Sequence, residues 1–258
     1  MTGSLAWSWK KSPSTGASPR LPGAGTARAR GAPKGRDGAV EAIRALMVAK
    51  RSAAGDRTRT INQARALILT GPDDLRARFA QQAPAALVAG IASLRPRPGD
   101  VAGYATRVAL REPGRRAAFL DGQLERLDEL IVPLVSARAP GLLALHGIGP
   151  NTAALLLIAA GDHPGRLRSE AAWAHLCAAA PIPASPGKVT RHRLNPGADR
   201  QANHALWRIV FTRMGSDAAT RAYVERRAKE GKSKAEIIRC LKRYVARQVY
   251  PYLRPGAG

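Results

Sequence analysis

Apolar residues recur at helical spacing in two long stretches of the first half of the chain. The first stretch runs from Ala39 to Leu69, and the second from about Tyr104 to Val135. A spacing of three and four residues places apolar side chains on one face of a helix. The pattern therefore predicts two long amphipathic helices, the first of them weakened at Gly55. Their apolar faces comprise Ile43, Leu46, Met47, Ile61, Ala64, Leu67 and Ile68 in the first helix and Val108, Leu120, Leu124, Leu127, Leu130 and Ile131 in the second.

The region between the two predicted helices holds Pro96 and Pro98, which indicates a connector and not a continuous helix. Two amphipathic helices joined in this way favour an antiparallel helical hairpin or coiled coil over residues 37–139. The apolar face of such a hairpin more often packs into the core of its own chain than into a dimer, and both uses stay open. A dimer formed through residues 39–135 would make the chain a helical scaffold.

Segments typical of β-strands are almost absent, and aromatic residues make up 5% of the chain. We therefore expect a mainly α protein, in which the long hairpin is followed by a helical domain at residues 140–254.

Residues 1–36 differ in composition from the rest of the chain. They hold 6 Gly, 4 Pro, 8 Ser or Thr and 7 Lys or Arg, and no Asp or Glu. Such a segment cannot bury enough apolar surface to offset its chain entropy. We predict that it is a disordered basic tail.

Positive charge dominates the chain and is concentrated in its last quarter. The 42 Lys and Arg against 18 Asp and Glu give a net charge of +24. Residues 188–254 alone hold 17 basic and 5 acidic residues, so this segment carries half of the net positive charge of the chain. A polyanion is the obvious partner, and nucleic acid is the first to consider. The competing interpretation is a generically basic surface that reflects an arginine-rich composition.

Neither cysteines nor apolar segments indicate an extracellular or membrane protein. Cys177 and Cys240 lie far apart without a Cys-x-x-Cys motif, so neither a disulfide framework nor a zinc site is indicated. The first residues lack the apolar segment of a signal peptide, and the longest apolar run, residues 153–160, is too short to span a membrane. We expect a cytoplasmic protein with no membrane role.

Residues 142–160 have the sequence LLALHGIGPNTAALLLIAA, in which a glycine turn separates two apolar helices. This pattern is typical of a helix-hairpin-helix, with Pro150 opening the second helix and Ile148 anchoring the turn in the core. Glycines let the backbone approach a phosphate, and amides at the start of the second helix can donate to it. An ordinary corner between two helices is the alternative. The predicted phosphate contacts are Gly147, Gly149, Asn151 and Thr152.

Residues 180–194, APIPASPGKVTRHRL, form a predicted loop that holds Ser185. A serine hydroxyl is a useful nucleophile only where a base or dense positive charge favours its alkoxide, and the same charge would hold a scissile phosphate. Most serines in loops only make turn hydrogen bonds, so composition alone indicates a basic turn. The basic residues that could supply the charge are Lys188, Arg191 and Arg193. These three and His192 are candidate nucleic-acid contacts.

Two further predicted helices carry basic residues opposite an apolar stripe, and the second opens with the capping-box spacing of Ser233 and Glu236. Phosphate binding by these faces is one interpretation, and a solvated charged face is the other. The predicted inward residues are Leu206, Ile209 and Val210, then Ile237, Ile238, Leu241, Val245 and Val249. The predicted outward residues are Arg200, Arg208 and Arg213, then Lys242, Arg243 and Arg247. Of these, the candidate nucleic-acid contacts are Arg200, Lys242 and Arg243.

Three segments together resemble the C-terminal domain of transposases of the insertion-sequence-110 family. They are HGIGPNTAALLLIAAGD, RLRSEAAWAHLCAAAPIPASPGKVTRHRLNPGADRQANHALWRIVFTRM and YVERRAKEGKSKAEIIRCLKRYVARQVYP. The resemblance is continuous from about residue 142 to residue 252, and residues 37–69 are similar to the central region of that family. It implies DNA transposition by covalent serine–DNA strand exchange, a guide RNA that bridges target and donor DNA, homo-oligomers, and association with the nucleoid.

In that family the C-terminal domain contributes a serine from a loop resembling Ala-Ser-Ser-Gly. Ser185 and Gly187 match this loop, and the match makes Ser185 the catalytic candidate. The basic run after it corresponds to Lys188, Arg191 and Arg193. Position 186 is proline where the family usually has a second serine. If the second serine is the nucleophile of the family, this chain has lost it.

The resemblance also implies Mg²⁺, which acidic residues of an N-terminal resolvase-like domain bind in that family. Nothing before Asp37 is acidic, so residues 1–36 cannot supply a metal-ligand set. We therefore expect a truncated transposase that folds and binds nucleic acid but does not recombine DNA alone. The alternative is a non-catalytic helix-hairpin-helix protein that binds nucleic acid.

Overall fold

The computed structural model describes residues 38–96, 100–163, 167–183, 192–193, 195 and 197–253. The chain divides into two units, residues 1–31 and residues 32–258, and every element described below belongs to the second. The predicted basic tail, residues 1–36, lies outside the described residues.

The described residues form a mainly α structure, as the sequence predicts. The only strands among them are two of two residues each, paired antiparallel with Ile182 opposite Arg193 and Pro183 opposite His192. The elements are α1 (Gly38–Thr70), α2 (Asp73–Phe79), α3 (Pro84–Ala92), α4 (Val101–Arg138), α5 (Pro140–Leu143), α6 (Pro150–Ala160), α7 (Glu170–Leu176), β1 (Ile182–Pro183), β2 (His192–Arg193), α8 (Arg200–Ser216), α9 (Ala218–Lys229), α10 (Lys234–Val249) and a final 3-10 turn (Tyr250–Leu253).

The two long helices pack side by side as the predicted antiparallel hairpin. Lys50 pairs with Asp128 and Arg57 pairs with Asp121, so the numbering falls along α4 as it rises along α1. The helix α1 continues through Gly55, where the sequence predicted a weak point. The hairpin is therefore a continuous two-helix unit with ion pairs along its edge.

Two short helices occupy the connector, where the sequence predicted only a proline-rich link. Together with the distal half of the hairpin, α2 and α3 enclose a separate apolar core. Gly114 of α4 lies directly against α3, since a Cβ there would approach Ala92 N to 2.5 Å and Ile91 Cγ1 to 2.7 Å. The core comprises Ile61, Ala64, Ile68, Leu75, Phe79, Leu87, Val88, Ile91, Leu94, Leu110 and Ala117.

The larger core surrounds α6, which contacts α1, α4 and α8. Six of the 11 residues of α6 are buried, and four of these six are alanines, whose small side chains let the neighbouring helices come close. Asp162, just after α6, accepts a hydrogen bond from Val40 N at 3.1 Å and lies 3.7 Å from Arg138 Nε. One carboxylate thus joins the end of α6 to the first turn of α1 and the last turn of α4.

Most of the predicted apolar faces are buried or half-buried, but two residues are not. Leu67 and Leu130 are exposed, the latter by 56% of its surface. At about 100° per residue, each lies at the edge of its helical stripe. In α8 and α10 the predicted inward residues are buried, except that Ile238 is half-buried.

We expect Gly114→Ala to destabilise the protein, because the added Cβ has no space between α4 and the backbone of α3. Overpacking of this kind costs about 1–3 kcal/mol of unfolding free energy. The matched control is Gly122→Ala in the same helix, where the nearest atom to the new Cβ is Arg126 Nη1 at 3.4 Å. Urea unfolding of both variants should show a loss for the first and no loss, or a small gain, for the second. Equal stability of the two variants would contradict the packing described for α3.

Candidate nucleic-acid interface

The glycine turn between α5 and α6 exposes one glycine and packs the other against α8. Gly147 has φ +78°, a backbone conformation that favours glycine, and a Cβ there would lie 3.3 Å from Arg213 Cγ. Gly149 precedes α6, and a Cβ there would meet nothing within 4 Å. Ile148 between them is 6% exposed, which confirms its predicted place in the core. The open side of the turn is therefore at Gly149.

Arg213 of α8 holds this turn in place. Its Nε donates to the carbonyl of His146 at 2.8 Å, and its Nη1 donates to Gln248 Oε1 at 2.8 Å. Burial lowers the pKa of the Arg213 guanidinium, and nearby Asp217 opposes that shift. His146 Nε2 also lies 2.8 Å from Ser216 Oγ. The predicted outward position of Arg213 is wrong, because the turn carbonyl needs a donor and α8 supplies it.

The start of α6 is where the turn could receive an anion. No side chain caps this end of the helix, and Pro150 occupies its first turn. The first amides of a helix point outward and carry the positive end of the helix dipole. Asn151 Oδ1 accepts a hydrogen bond from Lys50 Nζ at 2.6 Å, so a lysine of α1 lies beside the same helix start. Thr152 is half-buried.

Lys50 is a site residue that the sequence analysis missed. It is 101 positions away from Asn151 along the chain, and only the packing of α1 against α6 brings the two together. Its ammonium is shared with Asp128 of α4. Because Asp128 already pairs with this ammonium, a phosphate at the start of α6 would have to compete with that carboxylate for Lys50.

The predicted serine loop falls largely outside the described residues. Ser185, Lys188 and Arg191 lie there, while His192 and Arg193 belong to β2, where the backbone alone is described. The strands β1 and β2 precede and follow residues 184–191, and their pairing brings the two ends of that segment together.

The described chain after the loop is tied to the end of α7. Asn195 Nδ2 donates to the carbonyl of His175 at 3.2 Å, and Asp199 N donates to the carbonyl of Leu176 at 2.8 Å. Asp199 then caps α8 by accepting from the amides of Gln201 and Ala202. Hence the described residues that follow the Ser185 segment are held against the end of α7, directly before α8.

Of the basic candidates in α8 and α10, Arg200 is exposed as predicted, but Lys242 is not. Lys242 is 7% exposed, and its Nζ donates to Asn203 Oδ1 at 3.2 Å. Burial lowers the pKa of the Lys242 ammonium, and Arg239 lowers it further. The predicted place of Lys242 on the outward face of α10 is wrong, because its aliphatic stem lies along the apolar stripe and its end reaches a polar group of α8.

Arg243 and Arg247 stay on the cationic face of α10, where an acidic residue of α7 partly neutralises them. Arg243 donates through Nη1 and Nη2 to the carboxylate of Glu170, and Arg247 Nε lies 3.9 Å from it. A phosphate bound by Arg243 would have to compete with that carboxylate. The helix itself starts with the predicted capping box of Ser233 and Glu236.

Neither a metal centre nor a membrane span is found in the described part of the chain. No group of three or more His, Cys, Asp or Glu residues there is arranged to hold a metal ion. Among the same residues, no helix is both long and apolar enough to cross a bilayer. The Mg²⁺ implied by the resemblance therefore cannot be assigned to ligands in this part of the chain.

Comparison with known proteins gives two findings. Residues 139–225, which run from just before α5 into α9, match the family described as "Transposase IS116/IS110/IS902 family". The chain is also 30% identical over 137 residues to a Streptomyces coelicolor protein described as "Insertion element IS110 uncharacterized 43.6 kDa protein". That similarity covers 52% of this chain and 34% of the relative, so the chain spans about a third of the length of that relative. Both findings confirm the resemblance drawn from the sequence.

We expect Arg213→Ala to lower the free energy of unfolding by about 2–3 kcal/mol, because it removes two charge-assisted hydrogen bonds that tie the turn and α10 to α8. Arg208→Ala is the matched control, since Arg208 is exposed on the same helix. Its effect should stay within about 0.5 kcal/mol. Urea unfolding compares the two, and a loss for Arg213→Ala no larger than that for Arg208→Ala would show that Arg213 does not hold the turn.

Proposed function

We propose that this chain, whose residues 139–225 match the IS116/IS110/IS902 transposase family, acts in DNA transposition with Ser185 as the nucleophile of strand exchange. The family match carries the proposal, because it covers the glycine turn, the serine segment and α8. The net charge of +24 supports a nucleic-acid partner. DNA, a guide RNA and a second copy of the chain are the proposed partners, and the proposed location is the nucleoid.

The start of α6 serves in this proposal to hold the DNA backbone. It combines uncapped amides, an open glycine and the ammonium of Lys50. Contacts of this kind bind any sequence, because they touch phosphate and not base edges. Gly149, Asn151 and Thr152 supply the backbone at this point, and Gly147 shapes the turn. Arg200 and Arg243 add charge on neighbouring helices.

The serine loop carries the covalent step. Ser185 Oγ gives up its proton and attacks the phosphorus of a DNA phosphodiester, so that a serine–phosphate ester forms. The bond from phosphorus to one deoxyribose oxygen breaks, and that oxygen takes up a proton, which balances the one lost by the serine. Lys188, Arg191 and Arg193 offset the charge that builds on the phosphate oxygens, with His192 among them. The pairing of Pro183 with His192 supports this arrangement, because it brings the segment before Ser185 close to the basic run. No step is assigned to Mg²⁺.

A second candidate function is phosphate binding without catalysis. The observation that favours it is the α6 start itself, which is complete within the described residues and needs no serine. In this alternative the protein binds nucleic acid through the glycine turn and the basic helices alone. The two candidates share the binding surface and differ only at Ser185.

Gly149→Glu tests the binding surface. The new side chain has open space, and a carboxylate at the start of a helix is compatible with its dipole, so the fold should stay intact. The same carboxylate repels a phosphate, so we expect duplex DNA affinity to fall about tenfold, the change of roughly 1.4 kcal/mol that a lost charge-assisted contact gives. The control is Gly122→Glu, which makes the same change in net charge on another helix, α4. Equal losses in a fluorescence anisotropy titration would contradict a phosphate site at α6.

Ser185→Ala tests the covalent step. The full chain is incubated with Mg²⁺, a guide RNA transcribed from the flanks of its gene, and labelled DNA whose scissile phosphate carries a sulfur leaving group that prevents religation. We expect a denaturation-resistant protein–DNA adduct that Ser185→Ala abolishes and that Ser52→Ala, an exposed serine of α1, leaves unchanged. Retained DNA binding without any adduct would favour the non-catalytic function.

A further inference from the structure

The outward face of α8 carries aromatic and basic residues that neither the turn nor the serine loop uses. Five exposed residues share this face: Arg200, His204, Trp207, Arg208 and Phe211. At 3.6 residues per turn, they fall within an arc of about 100°. The opposite side of the helix supplies Leu206, Ile209 and Val210 to the core. The aromatic face therefore remains on the surface after α8 has packed.

The three rings of this face form a ladder. His204 and Trp207 stack with centroids 6.0 Å apart and an interplanar angle of 21°. Trp207 and Phe211 stack with centroids 5.2 Å apart and an angle of 19°. Trp207 is 37% exposed and Phe211 57% exposed, so the end ring Phe211 is the more open of the two. Stacking covers the faces that the rings turn towards one another, so the ladder offers a ligand its outer ring faces and its ring edges.

The electrostatics of this face favour an anionic partner. Helix α8 contains no Asp or Glu between Arg200 and Ser216. Both arginines are exposed: Arg200 lies one turn before the ring ladder, and Arg208 lies directly beside it. Aromatic rings interleaved with arginines match a nucleic-acid strand, in which flat bases alternate with negatively charged phosphates. An apolar protein partner would leave these charges buried without a counter-charge.

We infer that the ring ladder of α8, His204, Trp207 and Phe211, binds unpaired bases of a single-stranded nucleic acid, with Arg200 and Arg208 on its phosphates. In a duplex the base faces are already covered by their own stacking, so only an unpaired strand can offer them to these rings. The inference rests on the proposed function, in which strand exchange and RNA guidance both expose unpaired bases. A DNA strand and an RNA strand present the same chemistry to the ladder.

Trp207→Ala is the direct test, with anisotropy titrations of the full chain against three labelled probes: oligothymidine, an abasic strand of equal length and a duplex. We expect affinity for oligothymidine to fall at least about fivefold, the loss typical of one stacked base. Affinity for the abasic strand and for the duplex should not change. Trp207→Phe should restore most of the affinity, because it keeps an aromatic face. Oligouridine in place of oligothymidine shows whether RNA or DNA is preferred.

Phe119→Ala is the matched control, since Phe119 is an aromatic residue 66% exposed on another helix, α4. It should change none of the affinities. Phe211→Ala provides a second variant on the ladder and should behave as Trp207→Ala does, with circular dichroism checking that both remain helical. If these variants lost affinity equally for oligothymidine and for the abasic strand, the inference would be overturned. A change in the oligomeric mass of the protein without a change in affinity would also overturn it. Duplex binding tests the proposed function independently. If the variants still bind duplex DNA, a negative result for the single strands argues against the ring ladder and not against the proposed function.

Discussion

Burial of α6 is the interaction on which the rest of the molecule depends. This alanine-rich helix contacts both long helices and α8, so its position fixes where the hairpin meets the helices that follow it. Gly161 ends the helix with φ +75°, and the next residue, Asp162, bonds to the first turn of α1. Burial of α6 therefore fixes the position of the residues at both of its ends. One end joins the hairpin, and the other presents an open turn at Gly149.

The same arrangement explains why basic residues of similar appearance have different roles. Arg213 and Lys242 are held by polar groups inside the fold, where they position the turn and the first part of α8. Arg200 and Arg208 lie on the surface and are available to a ligand. Arg243 is intermediate, because Glu170 bonds to it at the edge of α7. The basic residues of the chain thus include structural cations as well as exposed ones that can meet a polyanion.

Much of the fold could be predicted from the sequence, because long amphipathic helices are set by a repeating pattern. The hairpin, α6, α8 and α10 follow from that pattern, and so does the capping box at Ser233. The pattern could not find α2 and α3, since 7 and 9 residues are too few for a clear period. It also said nothing of Pro113, which lies inside α4 where a proline usually breaks a helix.

The candidate site was harder to predict, because its parts come from distant segments. The glycine turn was visible in the sequence, but Lys50 reaches it only through tertiary packing. The inward direction of Arg213 and Lys242 could not be predicted either, because long side chains with charged ends serve both surfaces and interiors. Trp207 and Phe211 were visible at a helical spacing of four. Their exposure could not be predicted, because it depends on which side of α8 packs against the core.

The central claim is that the turn before α6 and the serine segment face the same DNA, and disulfide trapping with a thiol-tethered duplex tests it most directly. Gly149→Cys, Ser185→Cys and Ser52→Cys would be compared in a Cys240→Ala background, with Cys177 left in its buried position. The account predicts rapid cross-linking at Gly149 and Ser185 and slow cross-linking at Ser52. Cross-linking at Gly149 no faster than at Ser52 would contradict it.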